Sequence, residues 1–130
     1  SNYASQVFID AKTMSHMARK LYIPAVNAYF TSLVKEAKAC KEIGIDAPKS
    51  TMDSIKKISG ILDEVVLATD KLDEAVSSCH VSGRDKAVYA RDLLLPLMAS
   101  LRAPVDELET IVSKAYWPVP SYGDLLFHIN

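Results

Sequence analysis

An all-α fold, an up-down-up antiparallel bundle of three long helices with an extended carboxy-terminal tail, is what the sequence predicts. Three observations carry that expectation. Apolar residues recur at steps of three and four through three long segments, the spacing of one helix face. The links between segments are only a few residues long, which makes neighbouring helices antiparallel. Beyond Tyr116 the period stops at two prolines one residue apart, Pro118 and Pro120, which cannot continue a helix.

The first helix is expected over 10–43, with Met14, Ala18, Tyr22, Val26, Phe30, Leu33, Ala37 and Cys40 on its inner face. Asp10 is the predicted N-cap and Gly44 the stop. Pro24 falls inside this pattern without ending it, so the segment reads as one kinked helix. The second helix is expected over 51–80, with Met52, Ile55, Ile58, Leu62, Val65, Thr69, Leu72, Val76 and Cys79 along one face. A capping box from Ser50 to Asp53, after Pro48, opens it. Gly60 reads either as a close helix contact or as a tolerated glycine costing ~1 kcal/mol.

The third helix is expected over 84–116, through Val88, Leu94, Met98, Leu101, Val105, Leu108, Val112 and Ala115. Pro96 and Pro104 lie within it and leave its phase unchanged, which favours one bent helix; Pro104 opening a separate helix is the alternative. Each helix would run ~45 to 50 Å. Leu33, Ile58, Leu62, Leu94, Met98, Leu101 and Leu108 are the predicted interior. Cys40 and Cys79, each near the end of its helix, would stand too far apart for a disulfide. No internal repeat is evident in this reading.

A length of 130 residues provides for one domain and one core. Hydrophobic residues at 49% and charged residues at 24% describe a chain that folds in water. Fifteen Lys and Arg against sixteen Asp and Glu lack the basic excess of a nucleic-acid binder. The four glycines stand singly, so no Gly-rich loop cradles a phosphate. No stretch approaches the ~20 apolar residues of a membrane helix and no signal sequence opens the chain, so a cytoplasmic protein with reduced cysteines is expected. The opening Ser1-Asn2, without an initiator Met, suggests a piece excised from a longer protein. The domain reading is a cloning scar or linker over 1–9, the bundle over 10–117 and a docking tail over 118–130.

Few residues suggest chemistry. His16, His80 and His128 lack the Glu-x-x-His pairing of a bundle-core metal site. His16 is the one candidate for a phosphotransfer carrier, against its default as a solvated surface histidine, and His80 is expected to end the second helix, where the dipole favours a cation. Asp63-Glu64 and Asp73-Glu74 point in different directions from their helix and read as solvated faces. Arg102 and Asp106 stand four apart and should pair across one turn, adding ~0.3 kcal/mol. No catalytic, cofactor or metal residue emerges.

The tail is the least average segment. Trp117, Tyr122, Leu125, Leu126 and Phe127 place a large apolar load on a stretch with no helix to hold it. Either it seals its own bundle or it docks on a partner. With Pro118 and Pro120 stiffening the approach, Trp117, Pro118, Pro120, Tyr122, Leu125, Leu126 and Phe127 form the candidate interface.

These residues carry a resemblance. Asp106-Glu107-Leu108-Glu109, followed by Tyr116-Trp117-Pro118-Val119-Pro120-Ser121-Tyr122-Gly123-Asp124-Leu125-Leu126-Phe127, is similar to the carboxy-terminal end of type III glutamine synthetases. Ala11 and Met14 with Ile23-Pro24-Ala25 resemble that family's first carboxy-terminal helix, and Arg91-Asp92 with Leu101-Arg102 its last, so the likeness covers the chain from about residue 7. The resemblance implies a cytoplasmic homo-oligomer, a dodecamer of stacked hexameric rings, that joins ammonia to glutamate with ATP and Mg²⁺. Its catalytic region would lie upstream, and no catalytic residue of the family maps onto this chain. The resemblance thus implies a non-catalytic helical domain, without ATP or metal of its own, contacting the catalytic region of the same polypeptide and neighbouring subunits in assembly or regulation. A free-standing carrier using His16 is the alternative.

Overall fold

The computed structural model describes residues 2–118, whose regular elements are all helices, with no strand among the described residues. The helices form three rods. The first joins α1 (Tyr3–Met17), a π turn (Ala18–Tyr22) and α2 (Ile23–Glu42); the second is α3 (Lys49–Ser77); the third joins α4 (Gly83–Tyr89), a second π turn (Ala90–Leu94) and α5 (Leu95–Ile111).

The first rod begins earlier than expected. Asn2, with extended backbone, is the N-cap, and its Oδ1 accepts from the Ser5 N–H at 2.9 Å, satisfying one of the free donors of the first turn. Residues 3–9 are therefore helix rather than a linker, and Ala4, Val7 and Phe8 enter the core. Asp10, the expected cap, lies in mid-helix, where its carboxylate accepts from Gln6 at 2.9 Å. At the other end Gly44 takes φ 84°, its N–H bonds Lys41 O and the Ile45 N–H bonds Cys40 O, both at 3.0 Å. Two orphan carbonyls are thereby satisfied, with glycine where the left-handed backbone requires it.

Pro24 follows the first π turn directly, and the turn explains how the rod continues past it. A proline in a regular helix lacks one N–H and drives its ring into the carbonyl four residues back. The Ile23 N–H instead reaches Ala18 O, five residues back, opening one wide turn ahead of the ring. The third rod repeats the device, with the Leu95 N–H bonded to Ala90 O and Pro96 next. The strings Ala18-Arg19-Lys20-Leu21-Tyr22-Ile23-Pro24 and Ala90-Arg91-Asp92-Leu93-Leu94-Leu95-Pro96 share Ala, Arg, Leu and Pro in register, so the chain does hold a short internal repeat, contrary to expectation. Ala18 and Ala90 are both fully buried, and Tyr22 and Leu94 fill the core from the last position of each turn.

The second rod corrects three local expectations. It starts at Lys49 with Pro48 as N-cap and no side-chain cap bond, so Ser50 sits inside the helix and the Ser50–Asp53 box does not form. Lys49 instead approaches Asp53 at 3.9 Å. The helix ends at Ser77, which leaves His80 beyond its last turn. Gly60 makes no close helix contact, because a Cβ built there meets nothing within 4 Å. Gly60→Ala is accordingly expected to stabilise the chain by ~0.5 to 1 kcal/mol and to raise the thermal midpoint by a few degrees. A lower midpoint would mean that the exposed backbone at Gly60 serves some other purpose.

Ile58, Leu94, Met98, Leu101 and Leu108 are buried as expected, while Leu33 and Leu62 pack against the core from its rim. Met52 and Val88, placed on inner faces by period, are more than a third exposed. Pro104 lies buried within α5, which runs through it as one helix. That helix stops at Ile111, short of 116. Val112 turns extended at ψ 134°, and Ser113 takes over the local bonding: its O accepts from the Tyr116 and Trp117 N–H groups and its Oγ from Ala115 N–H. A serine competing with the helix for backbone donors needs neither Gly nor Pro to end it. Cys40 and Cys79 are both free thiols.

Candidate functional site

The turn after α5 brings Tyr116 and Trp117 back onto the first rod. The Trp117 ring sits 5.1 Å from that of Tyr22, tilted by 47°, and the Tyr116 ring 5.3 Å from that of Tyr29, tilted by 55°. Both spacings suit aromatic pairs. Trp117 is half-buried and helps leave Tyr22 only 1% exposed. This candidate interface residue therefore packs on its own bundle. Pro118, also half-buried, is the last described residue, and Pro120, Tyr122, Leu125, Leu126 and Phe127 lie outside the described residues.

A polar cluster that sequence reasoning missed joins the first two rods. The Arg19 guanidinium on the first π turn donates from Nε and Nη2 to Asp73 Oδ2 at 3.0 and 2.6 Å, and from Nη2 to Asp70 Oδ1 at 2.7 Å. Ser15, almost fully buried, donates its hydroxyl to the other oxygen of Asp73. Hydrogen bonds to Asp70 and then to Asp73 raise the Arg19 pKa further above its ordinary value. Asp73 thus clamps two rods and is not the solvated residue its sequence context suggested. The signal was present in principle, since Asp70 and Asp73 stand three apart on one helix face.

Arg91, the repeat counterpart of Arg19, makes no such clamp. It bonds its neighbour Asp92 from Nε and Nη2 at 2.8 and 3.1 Å, and both remain exposed. The bond to Arg91 lowers the Asp92 pKa. Arg102 is half-buried, and burial lowers its pKa while the charge of Asp106 opposes the shift. His16 and His80 are exposed, as are Asp63, Glu64 and Glu74. Among the described residues no three His, Cys, Asp or Glu side chains gather as a metal site, and no helix is long and apolar enough to cross a membrane.

The described residues define a helical module, and comparison with known proteins says to what it is similar. Glutamine synthetase from Bacteroides fragilis (strain YCH46) is 25% identical over 96% of this chain, and glutamine synthetase from Butyrivibrio fibrisolvens 28% identical over 99%. Type-3 glutamine synthetase from Dictyostelium discoideum is 26% identical over 96%. The chain spans only 18 to 19% of the length of these relatives. No family model and no solved structure matches. The resemblance to type III glutamine synthetase seen in the sequence is therefore borne out across nearly the whole chain, which corresponds to a small part of a much longer enzyme.

Proposed function

We propose that this chain is the non-catalytic, carboxy-terminal helical domain of a type III glutamine synthetase and acts in subunit assembly or regulation. The observation that carries the proposal is a match covering 96 to 99% of the chain and less than a fifth of each relative. The parent reaction would be ATP-dependent ligation of ammonia to glutamate in the cytoplasm. In this reading ATP and Mg²⁺ belong to the catalytic region of the same polypeptide, as the resemblance implies. The up-down-up course belongs to this reading, supported by the Ser15–Asp73 bond near one end of the first two rods and the Thr51–Glu36 bond near the other. Trp117 and Pro118 aim the tail, and Pro120, Tyr122, Leu125, Leu126 and Phe127 dock it on the catalytic region or a neighbouring subunit. No comparable observation favours a carrier using His16.

The experiment is truncation of the full-length enzyme after Pro118, a cut that keeps Trp117 on Tyr22. Loss of the homo-oligomer or of glutamine formation by ~10-fold or more, about 1.4 kcal/mol, is expected. A truncated enzyme with unchanged assembly and activity would overturn the docking role.

A further inference from the structure

We propose that the first π turn couples the Arg19 clamp to the seat of Trp117, so that opening the clamp loosens the start of the tail and lifting Trp117 loosens the clamp. Nothing in this coupling depends on the surface that the tail meets. Two anchors that serve different neighbours stand three residues apart on one turn, Ala18–Tyr22. Arg19, at its second position, holds α3 through its bonds to Asp70 and Asp73. Tyr22, at its last position, is buried and carries the Trp117 ring 5.1 Å away. In a regular helix residues i and i+3 lie ~60° apart and face the same neighbour. The extra residue of the π turn widens that angle, which lets Arg19 reach out to α3 while Tyr22 stays in the core with Ala18 and Val26.

Such a turn takes its shape from its anchors. Pro24, directly after it, supplies no N–H, and the Ile23 N–H reaches five residues back to Ala18 O, so the backbone ladder is thinned where both side chains sit. With Arg19 released, the turn is free to rewind, and any rewinding rotates Tyr22 beneath Trp117. The Trp117 seat is itself light. The residue is half-buried, and its N–H bonds Ser113 O at 3.1 Å in the short turn after α5 rather than within a helix. The second π turn offers a matched control, since Arg91 bonds its own neighbour Asp92 and Leu94 stands where the first turn has Tyr22.

Hydrogen exchange and fluorescence of the whole chain test the coupling. Trp117 is the one tryptophan of the sequence, so acrylamide quenching of its emission reads that seat alone. Arg19→Gln is expected to raise the exchange rate of the Trp117 N–H ~10-fold and to increase quenching, with the slowest core amides moving less, which marks a local opening rather than a general loss of stability. Asp70→Asn, at a side chain 57% exposed and so too open to endanger the fold, should raise the same rate ~3-fold. Arg91→Gln should leave Trp117 as it was. In the other direction Trp117→Leu should speed exchange at Arg19 Nε–H by the same ~10-fold, because a coupling free energy is reciprocal. A Trp117 rate unchanged in both clamp variants, a rise matched by the slowest core amides, or an equal rise in Arg91→Gln would overturn the proposal. So would an Arg19 Nε–H that does not respond to Trp117→Leu. Truncation after Pro118 keeps both anchors, so the docking role stands or falls separately.

Discussion

Leu101→Ala is expected to lower the unfolding free energy by ~2 to 5 kcal/mol and the thermal midpoint by roughly 10 °C. Leu101 is wholly buried in α5, with buried Met98, Pro104, Val105 and Leu108 on the same helix. Removing its side chain costs the transfer of the lost methyl and methylene groups plus a cavity that a continuous helix cannot close. The matched control is Leu67→Ala on α3, where the side chain is 55% exposed and the change should stay within ~0.5 kcal/mol. Chemical denaturation of both variants measures the difference. Equal losses would mean that the site of Leu101 is no more tightly packed than the surface at Leu67.

Much of this core was legible because period and burial agree along the third rod from Leu94 to Leu108. Leu94, Met98, Leu101, Val105 and Leu108 step by four, three, four and three, which keeps them on one face, and all five are buried. The first rod carries a signal that step-counting alone passes over. Met14, Ala18, Tyr22 and Val26 are separated by four, four and four, and in a helix of 3.6 residues per turn such a run drifts by ~40° at each step. All four are nonetheless buried, because the π turn at Ala18–Tyr22 absorbs the surplus. An unbroken run of fours ahead of a proline was thus the visible trace of that turn.

The helix ends were less legible for a different reason. Asn2, Asp10, Ser50 and Ser113 all have side chains suited to capping, and only packing and competing backbone bonds decide which of them act. The clamp at Arg19 was only half legible: Asp70 and Asp73 share one helix face, but their partner lies 51 and 54 positions away, a distance over which period carries no information. The candidate docking residues show the converse case. Their composition was conspicuous in the sequence, yet Trp117 packs on the chain's own Tyr22. An apolar load marks a need for burial without naming the surface that provides it.

Deleting Lys20 is expected to cost ~3 kcal/mol, and combining the deletion with Pro24→Ala should recover ~2 kcal/mol of that loss. A π turn holds one residue more than the α turn it replaces, so removing exposed Lys20 closes it while Ala11 and Met14 before it, and Tyr22 and Val26 after it, keep facing the core. Arg19 precedes the deletion and can keep its bonds to Asp70 and Asp73. What the closed turn would restore is the collision between the Pro24 ring and the carbonyl four residues back, which alanine removes. Deletion of exposed Glu64 from α3 supplies the contrast, since no wide turn is there to close. It would rotate Ile58 and Ile61 by ~100° relative to Val65, Thr69 and Leu72, taking two buried isoleucines out of a core whose whole stability is ~5 to 15 kcal/mol. Cooperative unfolding should be lost in that variant and kept in both Lys20 deletions, as followed by circular dichroism against urea. Should the Lys20 deletion unfold the chain as completely as the Glu64 deletion, with or without Pro24→Ala, the π turn is no register spacer and the proline no reason for it.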